Sequence, residues 1–411
     1  MPEDFLPKNT STVAYDHITL KTRHPVRSGK LSNRQKMADF DVVVVGAGIF
    51  GTCTAYHCQK LGLKTLLLEK YSANHENGSS HGKSRITRYA HTDSAYVPLV
   101  DDAYSQIDEL EKKRGEQLWK KTGLLWAATG NVVPNISAVL KTHKVDHEVL
   151  QGAEIQKRYP QFAFDNEWFG LVDPMGGVIL ADKQLNAFRD EYLKLGGQFH
   201  DNEEVKNYAD GPVVRVETQK RTYTAKKAIF TVGVWIKQFF PKAPLKIEPI
   251  SISVCYWKAK TGECRDMPVF IGQDPKHQTF CFALPATDYP DLIKMAYHTG
   301  DPITDYEHPK ESDEKYVSIP RDFIQSHIPA VDGSKAARVD KCKYTVSEDD
   351  KYVIGPFPGM KNVLVGGCGS GSGFKVAPAI GRALAEMAAG RPTSVDVSAF
   401  SFDRFNKKSK I

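Results

Sequence analysis

Three glycines at positions 46, 48 and 51 stand in G-x-G-x-x-G spacing, and an acid, Glu69, follows eighteen residues after the last of them. These residue types at this spacing suit the binding of a dinucleotide. Gly46 is placed for a tight turn, Gly48 for close approach of backbone to a pyrophosphate, and Gly51 for packing of a helix on a strand. The helix start behind them would turn free N–H groups and a partial positive charge toward the phosphates. Glu69 sits where a carboxylate accepts both ribose hydroxyls of an adenosine, and it would repel the 2′-phosphate of NADP. Three glycines alone are weak, since a glycine-rich βαβ turn also occurs in other α/β proteins.

Other reactive side chains are scattered along the chain. Residues 79–88, SSHGKSRITR, set two arginines three apart after a His-Gly turn, which reads as a solvated basic helix start or as an anion site. In LIKMAYHTG (292–300) the alternation makes a strand with Lys294 and His298 on one face. An inward lysine on a strand ordinarily snorkels to an edge. Cys342 stands between two lysines, whose charges would lower a thiol pKa. The run GGCGSGSG at 366–373 is a second glycine-rich turn, with Lys375 at the start of the helix it opens. Such a turn either supplies backbone N–H groups to another part of a large cofactor, as FAD can use, or is a bend needed for packing.

The elements that must hold these residues follow from periodicity. DVVVV (41–45) is a buried strand run, the helix after it carries Ala55, Cys58 and Leu61 on one face, and Thr65–Leu68 is a second apolar strand. Further helices are expected at Tyr96–Arg114, from an Asp182 N-cap to Leu195 before Gly196-Gly197, at 311–324 and at 374–389. Strands are expected at 124–130, 213–217, 222–224, 228–236 (breaking into a helix at Gly233) and 361–365. Those within 246–299 suit a mainly antiparallel sheet. Cofactor-type βα units at both ends and in the middle imply an α/β fold whose Rossmann-like cofactor domain is built from residues 39–121, 178–246 and 349–391. A second, α+β substrate domain would take 122–177 and 247–348.

The chain's 411 residues suffice for two domains with full cores. Its formal net charge of +6 belongs to the ends: residues 1–38 carry seven Lys/Arg against three Asp/Glu, and 404–411 carry four Lys/Arg and no acid. The body between is slightly acidic, so nucleic-acid binding has no support. Seven scattered cysteines without a C-x-x-C read as a reduced, intracellular protein with no disulfide framework and no metal site. No apolar run approaches a membrane span, and the N-terminus, with Glu3 and Asp4 and no apolar core, lacks a secretory signal. Residues 1–38 read as an unstructured extension, within which Met37 is a possible alternative start. In the tail, 392–411, the closing Ser409-Lys410-Ile411 is a variant of the S-K-L peroxisomal address read by an import receptor. A lysine-rich tail can also end so by chance, which leaves the cytoplasm as the alternative location.

Five blocks in order, VVGAGIFG, SSHGKSRITRYA, LPATDYPDLIKMAYHTG, CKYT and GSGFKVAP, resemble the monomeric sarcosine oxidase family, most closely its peroxisomal sarcosine/pipecolate oxidase branch. The resemblance runs from about residue 39 to the C-terminus. It implies an FAD-binding domain, with His81 and Arg85 close to the flavin and Gly371 and Gly373 in the turn at the flavin end. Cys342 would hold the flavin covalently through the ring's 8α carbon. Arg88 and Lys375 would clamp the substrate carboxylate from two sides, the arginine through two parallel charge-assisted bonds. Lys294 would lie over the flavin ring, where its charge assists reduction of O2, and His298 and Tyr344 would line the substrate pocket. The implied reaction turns a secondary-amine amino acid (sarcosine, L-pipecolate or L-proline type), O2 and water into an imine- or aldehyde-derived product and H2O2, carried out by a monomer.

The chain departs from the family in two places. Thr345-Val346-Ser347-Glu348-Asp349 lacks the usual proline, and Gly369 and Ser372 stand where a Phe and a His are usual. Both losses remove bulk near the flavin and leave the substrate open. Two other readings stay on the table: a non-covalent D-amino-acid oxidase or dehydrogenase, which does not account for the Cys342 and Lys375 blocks together, and a flavin-binding relative with little turnover. An NAD-dependent dehydrogenase fits only the first motif.

Overall fold

The valine run is apolar throughout because both of its faces are covered. Val42 and Val44 belong to the core shared with the helices, whereas Val43 and Val45 join a second core on the opposite face. That is how a parallel strand inside an α/β sheet is buried. The computed structural model describes residues 38–260, 262–308 and 313–406. The expected extension up to residue 37 and the tripeptide Ser409-Lys410-Ile411 lie outside the described residues.

Phe40–Val45 pairs in parallel with Thr65–Leu68 on one side and Thr222–Phe230 on the other. Gln198–His200 extends the parallel array beyond Thr65–Leu68, and Val363–Gly367 lies parallel beside the end of Thr222–Phe230. Antiparallel strands Val205–Ala209, Val214–Thr218 and Val353–Pro356 complete eight strands. Helices Ile49–Lys60 and Ala377–Ala388 press together so closely that a Cβ on Gly381 would lie 2.6 Å from the Cys53 backbone. Two segments remote in sequence thus form one layer.

A second sheet of nine strands is antiparallel except where Val269–Asp274 runs beside Leu124–Thr129. In it Arg338–Ser347 follows Ile247–Lys258 over ten register positions, which sets Cys342 opposite Ile252 and Tyr344 opposite Ile250. Leu292–Tyr297 lies between Ile247–Lys258 and Thr279–Leu284, with Lys294 opposite Tyr256 and Leu284. A small three-stranded sheet joins Ser84–Thr87, Gly177–Leu180 and Trp119–Lys120. The α/β class with a Rossmann-like sheet and a mainly antiparallel second sheet is therefore as the sequence implied.

Several local expectations are corrected. The SSHGKSRITR block contains a strand rather than a helix start, since Ile86 and Thr87 favour the pleated edge offered by Gly177–Leu180. Asp182 is not the N-cap: the helix Ala181–Lys194 begins before it, with Leu180 at the cap and Asp182 in the first turn. Residues 222–230 make one strand, which stops at Phe230; Gly233, at φ +52°, then starts a short 3-10 turn. The helix placed at 311–324 is Lys315–His327, and the one placed at 374–389 starts as a 3-10 turn over Phe374–Val376.

Candidate active site

Backbone geometry makes the nucleotide end. Gly46 has φ +95°, and a Cβ on it would stand 2.7 Å from the Thr231 carbonyl oxygen. A Cβ on Gly51 would lie 1.8 Å from the Gly46 oxygen, so the turn closes on the helix only without side chains. At Gly48 the nearest atom to such a Cβ is Ser80 Oγ at 3.1 Å, and that hydroxyl accepts the Ile49 N–H at 3.0 Å. Gly48, at the N-cap, brings no side chain of its own to the Ile49–Lys60 helix. The helix start lines a cavity of about 1100 Å³ that runs from Glu69 to Lys375.

Glu69 is buried, and its carboxylate accepts the N–H of Ala47 at 2.8 Å and of Tyr71 at 3.0 Å, with His75 Nε2 at 3.3 Å. Burial raises its pKa, but His75 and the two backbone donors outweigh that and hold it below the ordinary carboxylate value. A carboxylate has about four lone-pair sites, so acceptor capacity remains for ribose hydroxyls.

At the other end the second sheet and the 366–373 loop face the same cavity. Arg88 and Lys375 are both buried. Arg88 donates to the Ala90 carbonyl and stacks on Trp126 at 4.7 Å, while Lys375 donates to the Ser372 carbonyl at 2.7 Å. Neither forms an ion pair among the described residues. Burial lowers the Arg88 pKa to about 10, and burial together with Arg88 pushes the Lys375 ammonium well below the usual lysine value. Asp173, a buried carboxylate outside ion-pair distance, opposes that lowering at Arg88, and no carboxylate among the described residues acts on Lys375; the two side chains together are suited to an anion.

Beside them, His298 packs on Phe280 at 4.6 Å and Tyr344 at 5.5 Å. Burial, then Arg88 and Lys375, lowers its pKa to about 4, so the ring is neutral near pH 7. Gly371, at φ +72°, passes so close that a Cβ would sit 2.5 Å from both the His298 and Tyr344 rings. Gly373 lies against Phe50 in the same way, at 2.8 Å. Cys342 is buried on its strand and turns into the cavity. His81 contacts the carbonyls of Gly78 and Lys341 at 2.7 and 3.1 Å, and Arg85 donates to those of Ser79, His81 and Ser84.

Unlike Arg88 and Lys375, Lys294 has an ion-pair partner. Its Nζ pairs with Asp288 and donates to Ser84 Oγ at 2.7 Å and to the Ser84 carbonyl at 3.3 Å. Burial lowers its pKa, Asp288 opposes that, and the net position is below the usual lysine value. Of the residues singled out in the sequence, all but Gly51 line this one cavity; Gly51 lies behind the turn.

Reading the sequence missed Asp288 and Ser84, although both fall inside blocks that were noticed. It also missed Tyr256, whose hydroxyl donates to Asp288 at 2.8 Å, and Tyr352, whose hydroxyl meets Ser372 Oγ at 2.9 Å. An acid six residues before a strand lysine carries no periodic signal, because a turn brings the two together.

A Rossmann-like sheet with a glycine turn and a buried acid, capped at its far end by cations, defines a flavin-type dinucleotide oxidoreductase. Residues 41–387 match the family of FAD-dependent oxidoreductases, and the chain belongs to that family. It is 59% identical over 382 residues to a Caenorhabditis elegans protein named "Putative sarcosine oxidase", covering 91% of this chain and 99% of that one. It is 35% identical to the peroxisomal sarcosine oxidase of Mus musculus, with 90% and 97% covered, and 30% identical to the monomeric sarcosine oxidase of Bacillus sp. (strain B-0618), with 89% and 96% covered. Among solved structures, L-proline dehydrogenase from P. horikoshii shares the fold at TM-score 0.77 and 18% identity, with 90% of this chain and 98% of that one aligned. The cofactor is FAD. No helix among the described residues is long and apolar enough to cross a membrane.

Proposed function

We propose that this chain is an FAD-dependent oxidase of secondary-amine amino acids, of the sarcosine, pipecolate or proline type, with its flavin attached to Cys342. One observation carries the substrate class: Arg88 and Lys375, buried and without acidic partners, face the same cavity as Lys294 and Cys342. The sarcosine oxidase relatives, matched over nearly their whole length, support the same reading.

When bound, FAD takes two electrons from the substrate C–N unit and passes them to O2. The chain's own residues do the rest. Gly46, Gly48 and Glu69 hold the nucleotide, with His81, Arg85, Gly371 and Gly373 at the flavin end. Arg88 and Lys375 hold the substrate carboxylate and so fix its α-carbon against the cofactor. Their charges, with a neutral His298, favour the free amine over the ammonium, and no acid–base pair is needed to remove that proton. Tyr344 and the rings beside it exclude water. Lys294 supplies a fixed positive charge where O2 gains negative charge.

In this reading residues 39–121, 178–246 and 349–391 carry the cofactor and 122–177 and 247–348 shape the substrate side. The protein acts as a monomer in the peroxisome, a location supported by its peroxisomal relatives.

The test is the visible spectrum before and after acid precipitation. Flavin that stays with the pellet in the wild type and is freed in Cys342→Ala, with H2O2 formed from N-methyl or cyclic amino acids, is the expected result. Flavin released from the wild type would refute the covalent link. Bound flavin with no H2O2 from any secondary amine would refute the oxidase.

A further inference from the structure

A buried carboxylate stands behind Lys294. Asp288 lies in the turn between Thr279–Leu284 and Leu292–Tyr297, is 8% exposed and lines the cavity. Its Oδ2 pairs with Lys294 Nζ and accepts the Tyr256 hydroxyl at 2.8 Å, while its Oδ1 is buried without a hydrogen-bond partner. Ser84 offers Nζ its hydroxyl and its carbonyl, so the three ammonium protons meet three acceptors on the wall. An ammonium tied on all three protons acts as a fixed charge and not as a proton donor.

The groups around the pair act in both directions. Arg85 opposes the charge on Lys294 and Asp288 favours it. Tyr256 and Tyr289 meet edge to face at 4.8 Å, with Tyr289 bonded to Asp340 and Asp340 paired to Arg338. Asp288 is the one carboxylate among the described residues that pairs with Lys294. Without that carboxylate the Lys294 pKa would fall further, since burial disfavours the charged form and Asp288 is the strongest group opposing it.

We propose that Asp288, steadied by Tyr256, is a positioning residue that keeps Lys294 protonated and aimed at one point of the cavity, so that the O2 step depends on an ion pair rather than on a lysine alone. The inference rests on the oxidase reading. O2 takes two electrons from the reduced cofactor and two protons, and leaves as H2O2; Lys294 donates none of those protons.

Asp288→Asn keeps the shape of the side chain and removes its charge. In the holoenzyme the 13Cε resonance of Lys294, identified by its loss in Lys294→Met, then titrates at lower pH than in the wild type. Stopped-flow reoxidation becomes pH-dependent, near wild type at low pH and falling about tenfold per pH unit above the lowered lysine pKa. Anaerobic reduction by substrate is little changed, and Asp288→Glu recovers much of the wild-type profile. An unshifted resonance with pH-independent reoxidation overturns the proposal. Equal slowing of both half-reactions without rescue by Glu assigns Asp288 a structural role only, which also overturns it. Should Asp288→Asn not fold, Tyr256→Phe is read the same way, with a smaller downward shift of the resonance; no shift there overturns the proposal. Failure of the oxidase reading looks different: no secondary amine reduces the cofactor in any variant, while the resonance still reports whether Asp288 holds the lysine proton.

Discussion

Two kinds of buried cation line the same cavity. Lys294 is paired within the chain with Asp288 and braced by Ser84, whereas Arg88 and Lys375 hydrogen-bond only to carbonyl oxygens, with Asp173 acting on Arg88 from beyond ion-pair distance. The first is a permanent feature of the fold. In the proposed reading the second pair awaits the negative charge of a ligand, because desolvated cations outside an ion pair are costly. Charge that waits for an anion selects substrate; charge already paired acts on whatever arrives beside it.

The largest expected effect separates the two kinds outright. Lys294→Met should slow reoxidation by about 10²–10³-fold while leaving KM and anaerobic reduction nearly as they were, as stopped-flow would show. A matching rise in KM would erase the distinction. Lys375→Met should do the reverse, raising KM by about 10- to 100-fold with reoxidation of reduced enzyme unaltered. A third measurement sharpens the contrast without turnover. A simple monocarboxylate at a hundredfold excess over its Kd should stabilise the wild type and Lys294→Met by about 2.7 kcal/mol and Lys375→Met clearly less at the same concentration, read from urea midpoints.

The smallest effect concerns His298, whose pKa of about 4 lies below the ordinary value. Between that value and about 6.5 the unfolded chain binds a proton that the native ring does not. This contribution to stability is therefore present above pH 6.5 and is lost as pH falls toward 4. His298→Gln should flatten the decline in urea midpoint from pH 7 to pH 5. Bound carboxylate should flatten it too, since it offsets the Arg88 and Lys375 charges that help keep the ring neutral.

The nucleotide end was legible because local rules write it. The spacing of Gly46, Gly48 and Gly51 is visible in a 29-residue window, and the strands and helix around them announce themselves by period, although the Thr231 carbonyl that crowds Gly46 comes from far along the chain. At the reactive end Arg88, Lys294, Cys342 and Lys375 come from four separate segments, and only the resemblance in their flanking blocks gave them roles in one site. Asp288 escaped even that, since its importance lies in a turn that folds it back on Lys294. Asp182 misled for a related reason: a side chain suited to capping stands one residue inside a helix that starts early.

The layer formed by Ile49–Lys60 and Ala377–Ala388 has a consequence for how the protein is made. On the ribosome the first glycine turn and its acid emerge early, yet Cys342, the 366–373 loop and the partner helix leave the exit tunnel only when most of the chain exists. The parallel sheet waits as well, for Val363–Gly367 is among its last strands. A nascent chain therefore lacks one wall of the cavity until these late segments emerge, and the site proposed for the cofactor is assembled only after them.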